Sequence, residues 1–333
     1  MNRRLVQGLK PHLSELLPPP TSHTKVETHP LCNLFKDAEK EHLESHRKME
    51  SWSETPAKTA RLTGQQILDC MWVYTYKLDK DHCLIKCKAR LVVRGDQQRN
   101  ITLQDTYAAT LASRSFRMLM AIAAEHDLAL KQHDVANAFV HASMDRVIYM
   151  RMPHGYQKPG TILRVNKALY GLRISPLLWQ KEFTSTLKTL GFQSVLHEPC
   201  CMIRDGIIIF FYVNDIILAY AQSKEEEAQQ AIKQLQQRYT ITGGHDLQWF
   251  LGMEILRNRS DCKIQLSQSA YATKISQLAD KKNIWHDTPM AVVELQPHDG
   301  AASMSEIRRY QRKIGSLLFA AVTMRPDISF ATS

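Results

Sequence analysis

The run Ile207-Ile208-Ile209-Phe210-Phe211-Tyr212-Val213-Asn214-Asp215-Ile216-Ile217-Leu218-Ala219 decides the fold. It reads as a β-hairpin, because apolar, β-prone residues lie on both sides of a tight polar pair, Asn214-Asp215. Asn and Asp both tolerate left-handed backbone angles, so the pair suits a turn on its own account. A hairpin tip that carries a carboxylate can also present it to a metal ion. Upstream, the strand-like run from Leu128 to Val135 carries Asp134 near its end. Each aspartate alone is unremarkable; two strand-end carboxylates in one domain are candidates for a shared site.

Outward from this hairpin, helix and strand signals are mixed and do not alternate as regular βαβ units, which predicts an α+β fold. Residues 1–32 are weakly patterned, contain Pro18-Pro19-Pro20 and read as a flexible arm. A charged helix follows from Leu34 to about Trp52. Residues 67–76 and 84–94 predict two strands joined by a loop over 77–82. The stretch from Lys77 to Arg99 holds seven Lys/Arg against three Asp. From Ser115 to about Asp127, Phe116, Leu119, Met120 and Ala123 share one helical face. A strand is expected over Val147–Met152, closed by Pro153-His154-Gly155. Ser175 and Pro176 predict a helix start, Ser175 as N-cap and Pro176 at the first helical position. Trp179, Phe183, Leu187 and Leu190 then form its apolar face, and Gly191 ends it. Asp205-Gly206 marks another tight turn. The box Ser223-Lys224-Glu225-Glu226 predicts a further helix start. Helices are also expected near 268–279 and 306–321.

The chain has 333 residues, 44% hydrophobic, with a net charge of +10. That length supports one large domain or two smaller ones, and the basic balance favours a polyanionic partner such as nucleic acid over a merely solvated basic surface. Seven cysteines are scattered without a disulfide framework or a paired Cys-x-x-Cys pattern. His82, Cys83 and Cys87 are the nearest approach to a zinc cluster, and they lack a second half. The start has no apolar leader, and the longest apolar run is too short to span a bilayer. An intracellular protein with no membrane partner is expected. No Gly-rich phosphate loop, Ser/His/Asp set or metalloprotease motif is present, which argues against a small-molecule enzyme.

Several blocks, in order, resemble the reverse transcriptase of copia-type LTR retrotransposons. They are Trp72-Val73-Tyr74 with Lys88-Ala89-Arg90-Leu91-Val92, then Asp134-Val135 with Ala138-Phe139, then Tyr149-Met150 with Pro153 and Gly155-Tyr156. Next come Ala168-Leu169-Tyr170-Gly171-Leu172-Arg173 with Pro176 and Trp179, the hairpin itself, Phe250-Leu251-Gly252-Met253-Glu254-Ile255, and Arg325-Pro326-Asp327 near the end. The resemblance runs from about residue 33 to the end. It implies a right-hand polymerase architecture, with fingers and palm over 33–255 and a thumb- or connection-like segment over 256–333, truncated before an RNase H domain. The implied activity is RNA-directed DNA synthesis by nucleotidyl transfer to a primer 3′-hydroxyl. Its cofactor would be two Mg²⁺ ions, with Mn²⁺ as a substitute. Its partners would be an RNA template, a DNA primer, their RNA–DNA hybrid, dNTP and the other domains of a Pol polyprotein. Its place would be cytoplasmic, in a virus-like particle, or nuclear.

The same resemblance assigns residues. Asp134, Asp215 and position 214 would be catalytic. The metal ligands would be Asp134, Asp215 and the Val135 carbonyl. Lys77, Arg90, Phe139 and Gly171 would bind the nucleotide, where a guanidinium grips phosphate oxygens in a fork and an ammonium acts as a point charge. Lys88, Arg94, Trp249, Leu251 and Gly252 would meet primer or template, and Lys86 and Arg99 would track the backbone phosphates. Read without the resemblance, these are a basic strand face, a core aromatic and turn residues. The family has Tyr-Val-Asp-Asp where this chain has Tyr212-Val213-Asn214-Asp215. An amide offers one neutral carbonyl oxygen in place of a charged pair. Loss of one of three converging carboxylates predicts weaker Mg²⁺ binding and a rate loss on the order of a hundredfold or more. A catalytically dead module that still grips nucleic acid is the rival reading, and an inert relic is a third.

Overall fold

The computed structural model describes residues 10–79, 81–99, 101–109, 111–278, 288–290 and 300–333. Its strands, in chain order, are β1 (Trp52–Pro56), β2 (Ile67–Leu68), β3 (Cys70–Leu78), β4 (Leu84–Val93), β5 (Ala129–Val135), β6 (Tyr149–Arg151), β7 (Thr161–Val165), β8 (Gln193–Val195), β9 (Glu198–Arg204), β10 (Ile207–Tyr212), β11 (Asp215–Tyr220), β12 (Ile241–Asp246), β13 (Trp249–Phe250), β14 (Met253–Asn258) and β15 (Lys263–Ser267). They form a six-stranded sheet in the order β12-β5-β11-β10-β9-β8, a four-stranded sheet β1-β7-β6-β2, a three-stranded sheet β13-β14-β15 and the hairpin β3-β4. Helices and sheets are interleaved without parallel βαβ repeats, so the fold is α+β as the sequence predicts.

The six-stranded sheet is the frame of the site. Strands β10 and β11 form the expected hairpin, with Phe211 opposite Ile216 and Tyr212 opposite Asp215. Ile216, Ile217, Leu218 and Ala219 are all buried, so both faces of β11 are covered. That explains why the strand reads as a continuous apolar run instead of an alternating one. On one face the helix Ser175–Thr189 lays Phe183 against Phe211, ring centroids 5.0 Å apart. The helix Glu225–Gln236 buries Ala228, Ala231, Ile232 and Leu235. The helix Ser113–Glu125 buries the four residues that its periodicity picks out, and Phe116 packs against Phe250 at 5.0 Å.

Local expectations differ from the structure in several places. The hairpin turn is Val213-Asn214, and Asp215 is already the first residue of β11. The left-handed angle falls on Val213 at φ 55°, not on the polar pair. Ser175 does not cap its helix: Ile174 precedes the first turn, and the Ser175 hydroxyl donates to the Leu169 carbonyl at 2.6 Å. Ser223 lies in a 3-10 turn, Gln222–Lys224, ahead of the helix it was expected to cap. Lys77 belongs to β3 and not to the connecting loop, because the hairpin pairs as far as Leu78. The C-terminal helices are Ser269–Ser276 and Met304–Thr323, the second opened by a Ser303–Glu306 capping box that the sequence reading did not single out. Position 279 and the residues after it, to 287, lie outside the described residues.

The segment expected as a free arm is tied to the β3–β4 hairpin at several points. Leu84 N donates to Pro11 O at 2.9 Å, Tyr76 donates its hydroxyl to Leu17 O at 2.7 Å, and Val26 and Leu31 are buried. The stretch is folded, with a 3-10 turn at Leu13–Glu15 and a short helix at His23–Val26 on either side of the three prolines. Residues 1–9 lie outside the described residues. Among the described residues no group of three or more His, Cys, Asp or Glu gathers as a metal site, so the cluster at Cys83 and Cys87 does not form. Cys87 is buried in β4, and burial pushes its thiol up to about 12. No helix among the described residues is long and apolar enough to cross a membrane.

Candidate active site

Strand pairing alone brings the two aspartates together. β5 and β11 are antiparallel neighbours, and their register sets Asp134 directly opposite Asp215. Directly opposed residues point to the same face of a sheet. Tyr212 and Gln132 therefore share that face, one pair and one step along the strands. Asn214 closes the group from the turn. Its Nδ2 donates to Asp134 Oδ1, and its carbonyl accepts from Val135 N at 2.8 Å. Gln132, which the sequence reading missed, reaches Asp215 Oδ1 with its Nε2 at 3.4 Å. Its signal was available: it stands two residues before Asp134 on a strand and so shares its face.

The electrostatics of the pair follow from this geometry. Burial raises the carboxyl of Asp215 above its ordinary value, the negative charge of Asp134 adds to the rise, and the Gln132 hydrogen bond opposes it. A carboxylate that is costly to ionise beside a second carboxylate favours a cation between them. Asp134 and Asp215 offer hard oxygen donors suited to Mg²⁺. The third position supplies an amide whose N–H is directed at Asp134, so the donor set here is two carboxylates plus neutral groups.

The basic hairpin faces this pair. In the β3–β4 register, Lys77 opposes Lys86, Thr75 opposes Lys88 and Val73 opposes Arg90, so four cationic residues line one face. Burial lowers the Lys88 ammonium, and Lys77, Arg90 and Lys86 lower it further, while Asp134 pulls the other way. Lys86, Lys88 and Arg90 line a groove of about 310 Å³ that also includes Asn137, three residues after Asp134. Arg90 lays its guanidinium over the Tyr170 ring, 4.3 Å from its centre, and Tyr170 in turn meets Phe139 at 4.8 Å. Phe139 is buried, so its aromatic face serves packing as well as any ligand. The motif alone gives Tyr170 no role; the fold makes it the base under Arg90.

Other sequence candidates fall elsewhere. Gly171 has φ +95°, and a Cβ there would stand 2.0 Å from the Val93 carbonyl. The close approach that glycine permits is therefore to the end of β4, with Tyr170 O accepting from Val93 N at 2.8 Å. Arg94 forms a two-pronged pair with Asp96, at 2.8 and 2.7 Å. Trp249, half exposed, and the Leu251-Gly252 turn belong to the separate β13–β15 sheet, which joins the main sheet where Leu247 N donates to Leu130 O at 3.0 Å. Arg99 is exposed, and its backbone N–H donates to Gln66 Oε1 at 3.2 Å.

Comparison with known proteins places the chain in a family. Residues 60–291 match the family described as reverse transcriptase (RNA-dependent DNA polymerase). The chain is 30% identical over 332 residues to the retrovirus-related Pol polyprotein from transposon TNT 1-94 of Nicotiana tabacum, covering 94% of this chain and 24% of that protein. It is 29% identical to the Pol polyprotein from transposon RE2 of Arabidopsis thaliana, covering 85% of this chain and 20% of the relative. The transposon Ty1-DR1 Gag-Pol polyprotein of Saccharomyces cerevisiae is 25% identical over 75% of this chain and 14% of its own length. The chain thus spans a quarter or less of each of these relatives. With the family match over most of the chain and these relatives, the chain belongs to the reverse transcriptase family of copia-type retrotransposon Pol polyproteins.

Proposed function

We propose that the chain is a polymerase segment that performs RNA-directed DNA synthesis, with Asn214 lowering its rate. The six-stranded sheet would be the palm of a right-hand architecture, the β3–β4 hairpin part of the fingers, and residues 256–333 a thumb- or connection-like segment. Asp134, Asp215 and the Val135 carbonyl would hold Mg²⁺, or Mn²⁺ in its place. The ions, when bound, would activate the primer 3′-hydroxyl and neutralise the departing pyrophosphate. Lys77, Lys86, Lys88 and Arg90 would bind the triphosphate and the nucleic-acid backbone through charge. Phe139 and Gly171 would shape the nucleotide pocket, and Arg94, Trp249, Leu251 and Gly252 would meet primer and template. Template RNA, primer DNA, dNTP and neighbouring Pol domains are the partners this reading entails, in a cytoplasmic particle or in the nucleus.

The observation that carries the reading is the register that sets Asp134 opposite Asp215. The direct test is primer extension on an RNA template, comparing the natural chain with Asn214→Asp in Mg²⁺ and in Mn²⁺. Extension by Asn214→Asp at about a hundredfold the natural rate is expected. Equal rates would show that the amide is tolerated and would remove the argument for impairment.

The Asn214 amide on Asp134 also favours a second reading, a module that grips RNA–DNA hybrid without extending it. Salt-sensitive hybrid binding with no extension by either chain would select it.

A further inference from the structure

The Val213-Asn214 turn has an unfavourable backbone conformation, and a buried side chain bonds to it. Val213 is β-branched and sits at φ 55°, a region that such residues occupy only when the surroundings impose it. Its carbonyl accepts from the indole Nε1 of Trp179 at 2.6 Å. Trp179 is 2% exposed and comes from the helix Ser175–Thr189, which packs Phe183 against Phe211 of the sheet. Its ring is fixed on three sides, by Phe183 at 5.1 Å, Tyr239 at 5.4 Å and His141 at 6.1 Å. His141 does for the other strand what Trp179 does for the turn. Its Nε2 lies 3.2 Å from the Ala136 carbonyl, two residues after Asp134. A carbonyl only accepts, so Nε2–H is the donor; burial lowers the His141 pKa while this hydrogen bond opposes the shift.

We propose that Trp179 is a positioning residue for the reaction. Its indole N–H pins the Val213 carbonyl and so keeps the turn left-handed. This aims the next carbonyl, that of Asn214, at Val135 N, and it locks β11 to β5 with Asp215 facing Asp134. The inference rests on the polymerase reading for its catalytic consequence, but not for its structural one. A Trp that only filled space would be replaced by Phe with little effect on the turn, since both rings pack among Phe183, Tyr239 and His141.

Hydrogen exchange tests the clamp in the metal-free full chain. Trp179→Phe is expected to speed exchange of the Val135 amide about tenfold relative to Leu218 in the same sheet, because it leaves a buried carbonyl without its donor. Val213→Gly removes the backbone strain, so in that background Trp179→Phe should speed Val135 exchange by less than about threefold. An equal acceleration in both backgrounds, or none in either, would overturn the proposal. Should Trp179→Phe not fold, the indole N–H of the natural chain decides: it should exchange at least about a hundredfold more slowly than that of half-exposed Trp249. Exchange as fast as that of Trp249 would overturn the clamp. The catalytic consequence is read separately in the Asn214→Asp background, where Trp179→Phe should lower kcat about tenfold and leave the dNTP KM within about twofold. If the Asn214→Asp chain does not extend a primer at all, the polymerase reading fails while the exchange result still decides the clamp.

Discussion

At the scale of single residues, Asn214 stands where the family resemblance implies an aspartate, and the structure gives the amide a partner. In the metal-free protein an aspartate at 214 would face Asp134 with like charge, whereas the amide donates to it. A hydrogen bond to a charged group contributes about 1.5–3 kcal/mol, so Asn214→Asp should lower metal-free stability by about that amount. Mg²⁺ should restore it, and the natural chain should respond less to the ion. Thermal unfolding with EDTA and with Mg²⁺ checks both parts; identical metal responses would refute the account. Asp215 supplies a pH test. Its folded pKa lies above the unfolded value, so the folded state holds the extra proton and its contribution is favourable at low pH. That contribution is lost as pH rises through the raised folded value. Asp215→Asn should therefore raise metal-free stability at neutral pH while abolishing extension.

At the scale of elements, two close backbone approaches seat the end of the basic hairpin on the loop that precedes the helix Ser175–Thr189. A Cβ on Gly171 would meet Val93 O at 2.0 Å, and one on Gly95 would meet Gly171 O at 2.0 Å. Gly171→Ala must also adopt φ +95° with a side chain, so it should destabilise the fold by about 2 kcal/mol or more. Denaturant titration measures this. A loss under about 0.5 kcal/mol would mean that the hairpin shifts freely. Behind the sheet, Phe183 is fully buried between Trp179 and Phe211. Phe183→Ala should cost about 3–5 kcal/mol, felt as loss of stability without a change in nucleic-acid selectivity.

At the scale of the whole molecule, charge and buried histidines set the response to salt and acid. Lys77, Lys86, Lys88 and Arg90 share one face. If all four meet phosphates, log affinity for an RNA–DNA hybrid should fall with log salt with a slope of about −3 to −4, and Lys88→Ala should reduce that slope by about one. An unchanged slope for Lys88→Ala would place the nucleic acid elsewhere. His42 and His46 are packed among Trp72 and Trp52, and burial first, then neighbouring charge, lowers them to about 4 and about 3. Their folded pKa values lie below the unfolded one, so stability is complete above about pH 6.5 and is lost as pH falls toward 4 and 3. A loss of a few kcal/mol across that window is expected in acid titration of the fold.

Much of this molecule was legible in the chain because its patterns are local. The hairpin of β10 and β11, the apolar stripes of the helices at Phe116 and Trp179, and the ordered family blocks depend on neighbours in sequence, where spacing and residue type carry the signal. The aspartates too were legible as strand-end residues. What the sequence could not state was register. Only the tertiary structure set Asp134 opposite Asp215, moved the left-handed residue from the Asn-Asp pair to Val213, and brought Gln132 and Trp179 to the site. The reason is physical: a turn's intrinsic preference is worth about a kilocalorie, and a buried hydrogen bond with dense packing around it can outweigh that. The same competition turned Ser175 inward to Leu169 instead of capping its helix, and drew the proline-rich segment onto the β3–β4 hairpin. Sequence determined which elements form and what chemistry they carry; the packing of distant elements decided which atoms of those elements meet.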